Sequence, residues 1–370
     1  MQLDKGKITG AQFLFAVICF IQSSFLLISH FVVLVQQDAW LTVLLGFLFT
    51  MPQMLVFLGL MKSFPGKNLI EINDLVLGKW VGKIFSGLYI FFFITLMSLN
   101  LRDMGDFVQK TIMPRTPEYV TIILFILVCA WSARNGVEVV ARYSVLFTLI
   151  SFVVLLIATA LNVNIMSWEN FLPILRQPLK SYVQGAHIVS TIPLGELIIF
   201  LMIAPNVQSP PKKVRKYLFL GLVLGVSNLL LIILQDTAIL GNAIVLFALP
   251  PFEAFRMTAI SPALSRMEIL FAVSLIILMF FKIGLLHYVT TSALAQTTGM
   301  REFKHLALAV GTIGVVYALS VYSSTLEHMQ SASKQVPFLW LLFELILPLI
   351  TLICAKVRGL SQPQGKAALE

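Results

Sequence analysis

The sequence predicts an all-α polytopic membrane protein, and three observations carry that prediction. Of its 370 residues, 58% are hydrophobic. Only 12% are charged, about half the roughly 25% of a soluble domain. The apolar residues gather into runs close to the roughly 20 residues that a helix needs to cross a hydrocarbon core about 30 Å thick. So few charges cannot cover a water-exposed surface of this size, which excludes a soluble enzyme, a disordered chain and a secreted disulfide scaffold. Ten spans are expected, over 11–35, 40–61, 84–108, 118–133, 142–161, 183–205, 216–235, 266–294, 305–323 and 335–356.

The first span is too long for a signal-peptide core and has no small-x-small cleavage site after it, so it is expected to remain in the protein. Trp40 opens the second span, Trp80 precedes the third and Trp168 follows the fifth, as interfacial anchors do. The fourth span is short and the eighth long. The apolar run Thr237 to Leu249 is too brief to cross and reads as a re-entrant or interfacial segment. That leaves an even count, with both termini on one side.

Lys and Arg sort the sides. With the N-terminus inside, seventeen fall on the cytoplasmic side, eight outside, Arg102 among these, and Lys282 within a span. The net charge of +9 follows from that bias and calls for no nucleic-acid partner. The cluster Lys212-Lys213-Val214-Arg215-Lys216 reads as an inner-face stop signal beside anionic headgroups of the bilayer. Cys19, Cys129 and Cys354 sit singly in apolar runs, as small buried hydrophobes do. A single membrane domain is expected over residues 1–358, and the polar stretch 359–370 reads as a disordered cytoplasmic tail.

In lipid, a broken helix is tolerated only where the freed backbone is packed in protein or lines a cavity. The sixth span carries such a break in Ser190-Thr191-Ile192-Pro193-Leu194-Gly195-Glu196. Pro193 removes a backbone donor, Gly195 frees the backbone, and Glu196 begins the resumed half-helix, where the dipole favours negative charge. The plainer reading is a proline kink with Glu196 bonded to a neighbouring helix. In the first span the weak point is Gln22-Ser23-Ser24, between Phe20 and Phe25. Spans one and six correspond in two five-helix halves, and matching interruptions point to a central binding site in transporters.

Intramembrane charge is the second pointer. Lys282 lies near the middle of span eight and Glu344 within span ten. Each costs free energy in lipid unless it faces the bundle interior and finds a partner. They read either as a buried ion pair holding helices in register or as a coupling group, with Lys282 standing where a coupling cation would sit. His187 and His287 lack converging partners and read as packing residues, and His30 is expected near solvent. Metal-ligand spacing, phosphate loops and nucleophile elbows are not found, so no cofactor and no enzyme activity are expected.

Local strings along the chain resemble the spore-germination permease family, the B subunits of nutrient germinant receptors. They are Asp38-Ala39-Trp40-Leu41, Phe64-Pro65-Gly66, Leu77-Gly78-Lys79 and Thr116-Pro117. Arg134-Asn135-Gly136-Val137-Glu138 with Ala141-Arg142, Asn170-Phe171-Leu172-Pro173-Ile174-Leu175 and Pro193-Leu194-Gly195-Glu196 complete the ordered set. The resemblance places the chain in the amino acid–polyamine–organocation superfamily. It implies the LeuT-like five-plus-five inverted repeat, here about 8–162 and 180–357, with helices one and six interrupted. It further implies a small nutrient ligand, commonly an amino acid, A and C subunits as partners, and the spore inner membrane as location. Superfamily permeases usually carry a glycine-rich break in span one, where this chain has Gln22, Ser23 and Ser24.

The ligand site implied is formed by Gln22, Ser23 and Ser24 with Thr191, Pro193, Leu194, Gly195 and Glu196, beside Lys282 and Glu344. Three functions remain open at this level. They are a sensor that signals to partner subunits, a proton-coupled amino acid permease, and a structural subunit whose pocket has decayed.

Overall fold

The computed structural model describes residues 6–257 and 267–360. Lys5, Arg266, Lys366 and the expected tail from residue 361 onward lie outside the described residues. The described residues fold as consecutive helices with one two-residue strand pair. The first span comprises α1 (Gly10–Gln22), a 3-10 segment (Ser23–Ile28) and α2 (Ser29–Val35). Then follow α3 (Ala39–Ser63), α4 (Leu69–Leu77), α5 (Lys79–Thr111), α6 (Glu118–Arg134) and α7 (Val137–Asn162). The sixth span is α8 (Leu179–Val189), two irregular turns and α9 (Phe200–Ile203). After it come α10 (Pro211–Leu240), α11 (Pro250–Arg256), α12 (Glu268–Thr298), α13 (Ala307–Ser320), α14 (Thr325–Lys334), α15 (Val336–Leu341) and α16 (Leu347–Val357).

Among the described residues, seven helical stretches are long and apolar enough to cross a membrane. The first, Gly10–Ser63, contains both of the first two expected spans. At 17 and 14 residues, α6 and α13 are shorter. The protein is an integral membrane protein built of helices.

Contacts between loops define two ends. At the end holding Gly10, β1 (Ile8–Thr9) pairs in parallel with β2 (Val207–Gln208). There Asn68 donates to Gln296 at 2.9 Å and Arg358 donates to the Val76 carbonyl at 2.7 Å. At the opposite, far end, Gln37 donates to the Pro173 carbonyl and Ser333 to the His30 carbonyl. Local chemistry sets the helix starts: Thr9 with Gln12 and Asn68 with Glu71 each form a reciprocal capping box. Helices α1 and α10 approach closely because Gly221 and Gly225 face Val17 and Ile21, where a side chain would collide.

Arg102 lies inside α5, which runs past it to Thr111, and is buried at 2.8 Å from Glu118. Two sequence expectations need correction. The run Thr237 to Leu249 is not one segment: its first four residues end α10, and the chain turns at Gly241 (φ +51°) into a 3-10 segment. His30 is 5% exposed rather than near solvent. Trp80 and Trp168 are exposed on the outside, as anchors require, whereas Trp40 is only partly so.

Candidate functional site

The sixth span breaks where its proline and glycine predict. Through Ser190–Leu194 the helix widens into a π turn, and Ile192 leaves helical geometry altogether (φ −119°, ψ 104°). A proline cannot donate to the turn behind it, so the ladder of hydrogen bonds opens there. The chain resumes as a 3-10 segment, Gly195–Ile199, before α9. Thr191 returns its hydroxyl to the carbonyls of His187 at 2.9 Å and Ile188 at 3.2 Å, in the turn just before the break. Gly195 has a specific reason to lack a side chain, because a Cβ built there would overlap the Glu344 carboxylate.

The first span is tightened rather than unwound. Ser23–Ile28 forms six residues of 3-10 helix, and both flanking residues keep right-handed helical angles. Runs beyond three or four residues are uncommon in this geometry, which often marks a hinge. Ser23 explains part of it. Its hydroxyl points both to the Cys19 carbonyl at 2.6 Å and to the Leu278 carbonyl of α12 at 2.8 Å. It therefore loosens its own helix while fastening it to another.

Lys282 joins the two irregular spans. Its ammonium donates to Ser24 Oγ at 2.8 Å and stands 2.8 Å from Glu196 Oε2. It also lies 4.6 Å from the centre of the Phe20 ring, within cation–π range. Lys282 is fully buried, with Ser24 and Glu196 at 2% and 1% exposure. A charged ammonium in such surroundings requires a counter-ion, and Glu196 supplies it. Phe200 of α9 packs edge-on against Phe13 and Phe20, with ring centres 5.6 and 5.7 Å apart, so spans one and six also meet through aromatic contacts.

Glu344 sits close by, against Gly195 and within electrostatic reach of Glu196, and among the described residues neither of its carboxylate oxygens has a hydrogen-bond partner. It lies in a third irregular stretch, the π turn Leu342–Ile346. Pro348 accounts for that turn, since it has no N–H for the carbonyl of residue 344. Phe343 beside it stacks on Phe92 of α5 at 4.9 Å.

The structure thus brings Ser24, Gly195, Glu196, Lys282 and Glu344 together. Ser23 joins through α12, and Gln22, Thr191, Pro193 and Leu194 are buried around them. Lys282 takes Glu196 as its ion-pair partner. Sequence reasoning missed Phe20, the turn in the last span and the dense polar cluster at the far end of α5.

It also missed what the Asp-Ala-Trp string does. Asp38 is fully buried and accepts from the Leu175 N–H at 2.9 Å and from the Tyr182 hydroxyl. Two motifs distant in sequence therefore dock on each other. Asp38→Ala removes both acceptor contacts, each worth about 1.5–3 kcal/mol when the acceptor is charged. Thermal unfolding of the purified variant in detergent should show a loss of at least about 2 kcal/mol. An unshifted transition would mean that the loop is held by other contacts.

Comparison with known proteins places this geometry in context. The sequence profile of a family described as "Spore germination protein" matches residues 7–329. Spore germination protein KB of Bacillus subtilis (strain 168) is 26% identical over 360 residues, covering 95% of each chain. Spore germination protein A2 of the same organism is 26% identical over 271 residues, covering 71% of this chain and 72% of that one. Among solved structures, Mhp1 resembles this chain with a TM-score of 0.69 at 11% sequence identity, over 98% of this chain and 97% of its own. Mhp1 is a nucleobase-cation-symport-1 family transporter, solved in a closed conformation with bromovinylhydantoin bound. That likeness shows the fold.

Proposed function

The chain belongs to the spore germination protein family, and on that basis we propose that it is the nutrient-sensing membrane subunit of a spore germinant receptor. In this reading a small nutrient, an amino acid by class, is held at mid-membrane where spans one and six lose regular geometry. The single domain, residues 1–358, is ten transmembrane helices in two inverted repeats, about 8–162 and 180–357. Both termini face the core side of the spore inner membrane, and A and C subunits read the state of the bundle.

The observation that carries the reading is the position of Lys282. One ammonium on α12 holds Ser24 of the first span and Glu196 of the sixth. It fixes the relative position of the two elements that the nutrient must separate. Gln22, Ser23 and Ser24 would meet the ligand's carboxylate, with Thr191, Pro193, Leu194 and Gly195 shaping the opposite wall. Glu196 would take the ligand's ammonium in place of Lys282. A ligand that prefers the separated arrangement shifts the population toward it, by no more than its difference in affinity for the two states.

Glu344 favours a second reading, a proton-coupled amino acid permease. It is a buried carboxylate beside the Lys282–Glu196 pair, placed to exchange a proton with that pair. One pair of experiments separates the readings. Deleting the gene should abolish the spores' response to the nutrient, while the purified chain in liposomes should accumulate no labelled amino acid. Accumulation driven by an imposed proton gradient would favour the permease and contradict the sensor.

A further inference from the structure

A cavity at the far end of the bundle, lined by both polar and apolar side chains, is used by neither reading. It holds about 420 Å³ of empty space, its open mouth included. Its lining comes from the outer half of the first span (Leu26, Ser29, His30), the end of α5, the linker before α11, and α14. It lies beyond Ser24 along the first span. Asp103 ties it to the centre, being within electrostatic reach of both Lys282 and Glu196.

Among the described residues, the charges of this vestibule do not balance. Arg102 lies 2.8 Å from Glu118 and 3.8 Å from Asp106, and Lys110 lies 4.0 Å from Asp106. Those two cations are matched to those two carboxylates. Asp103 faces the His328 imidazole instead, Nδ1 to Oδ1 3.5 Å, a partner that carries charge only when protonated. His328 is stacked on Tyr322 with ring centres 4.9 Å apart, which fixes it in place. The independent sign of a ligand is His30. It lines the cavity at 5% exposure, and among the described residues its Nδ1 has no hydrogen-bond partner. A buried polar atom left unpaired is costly and calls for a partner.

We propose that this vestibule is a second binding site, for the ammonium group of a small organic cation. Asp103 is its counter-ion and His30 Nδ1 a hydrogen-bond acceptor. The ligand is organic because Leu26, Phe107, Leu249 and Met329 supply apolar wall, whereas bare hard cations require six or more oxygen ligands. Ser29 can accept a further ammonium hydrogen. Ser333 of α14 donates to the His30 carbonyl at 3.3 Å, so the helix bearing His328 is tied to the same turn of the first span. The site does not depend on a ligand at mid-membrane.

The test uses the full chain in lipid nanodiscs, with propylammonium as the probe and propanol as its neutral counterpart. Isothermal titration should show saturable binding of propylammonium but not of propanol, and Asp103→Asn should weaken it about tenfold or more. Separately, Met329→Cys in a Cys354→Ser background reports occupancy while retaining Asp103. Propylammonium should slow maleimide labelling at residue 329 about threefold or more at saturating concentration. Equal binding of propanol, undiminished binding to Asp103→Asn, or labelling that propylammonium does not slow would each overturn the proposal. If Asp103→Asn fails to fold, the labelling result decides alone.

Discussion

Gly195→Leu is expected to abolish the nutrient response while leaving the protein in the membrane. The Cβ position at residue 195 is already occupied by the Glu344 carboxylate, and the Ser190 carbonyl oxygen lies 3.0 Å from it. The carboxylate, at the end of a flexible side chain, can yield to one methyl group. It cannot yield to an isobutyl group, because Glu344 is fully buried and Phe343 beside it is stacked on Phe92. Overpacking of this kind typically costs about 1–3 kcal/mol. Here it falls on the wall between the sixth span and the last. Gly195→Ala should therefore shift the dose–response curve to higher nutrient concentration, and Gly195→Leu should flatten it. Germination of spores carrying each variant, with membrane fractions immunoblotted for the protein, checks both. A normal curve for Gly195→Leu would remove this wall from the site.

Lys282→Ala carries the second large effect. Removing the ammonium leaves Glu196 as an uncompensated buried charge, and breaking such a pair costs about 3–5 kcal/mol. Ser24 loses its partner in the same step. Stability should fall by about that amount in thermal or denaturant unfolding of the purified chain. Replacing both partners, Lys282→Met with Glu196→Gln, leaves no charge unpaired and should recover most of the loss. If Lys282 only holds helices in register, the double variant should also respond to nutrient. If it is the group that the ligand displaces, the double variant folds and stays silent. A double-mutant cycle separates the pair's own contribution from that of each residue.

Much of the architecture is legible in the sequence because lipid imposes simple rules. Helix positions follow from the lengths of apolar runs, and the break in the sixth span follows from Pro193 and Gly195, whose backbone effects are local. The first span was less legible. Ser23 and Ser24 weaken a helix only when their hydroxyls find particular acceptors, and one acceptor of Ser23 is the Leu278 carbonyl, 255 residues away. That Lys282 and Glu344 are interior could be read from the cost of charge in lipid. That Lys282 takes Glu196 could not, because the choice depends on how α12 is rotated against the sixth span. The turn at Leu342–Ile346 had a signal in Pro348 that span counting overlooks. Asp38 was legible only as a family string; its contacts to Leu175 and Tyr182 exist only once the far-end loop folds back. His30 and Asp103 become neighbours of one cavity only when the first span, α5 and α14 converge.

If Lys282 holds together two elements that a nutrient parts, labelling at Ser24 shows it most directly. Ser24→Cys, with Cys354 replaced by serine, places a thiol where the ammonium of Lys282 meets the first span. In the packed bundle this position is 2% exposed, so a small water-soluble thiol reagent should react slowly, at a rate set by how often the spans separate. The amino acid that triggers germination should change that rate in a saturable way, over the concentrations that shift the spores' response. Gly195→Leu should remove the change. A labelling rate that no triggering amino acid alters, in spores that still germinate, would show that the nutrient acts elsewhere and that Lys282 is only a structural clasp.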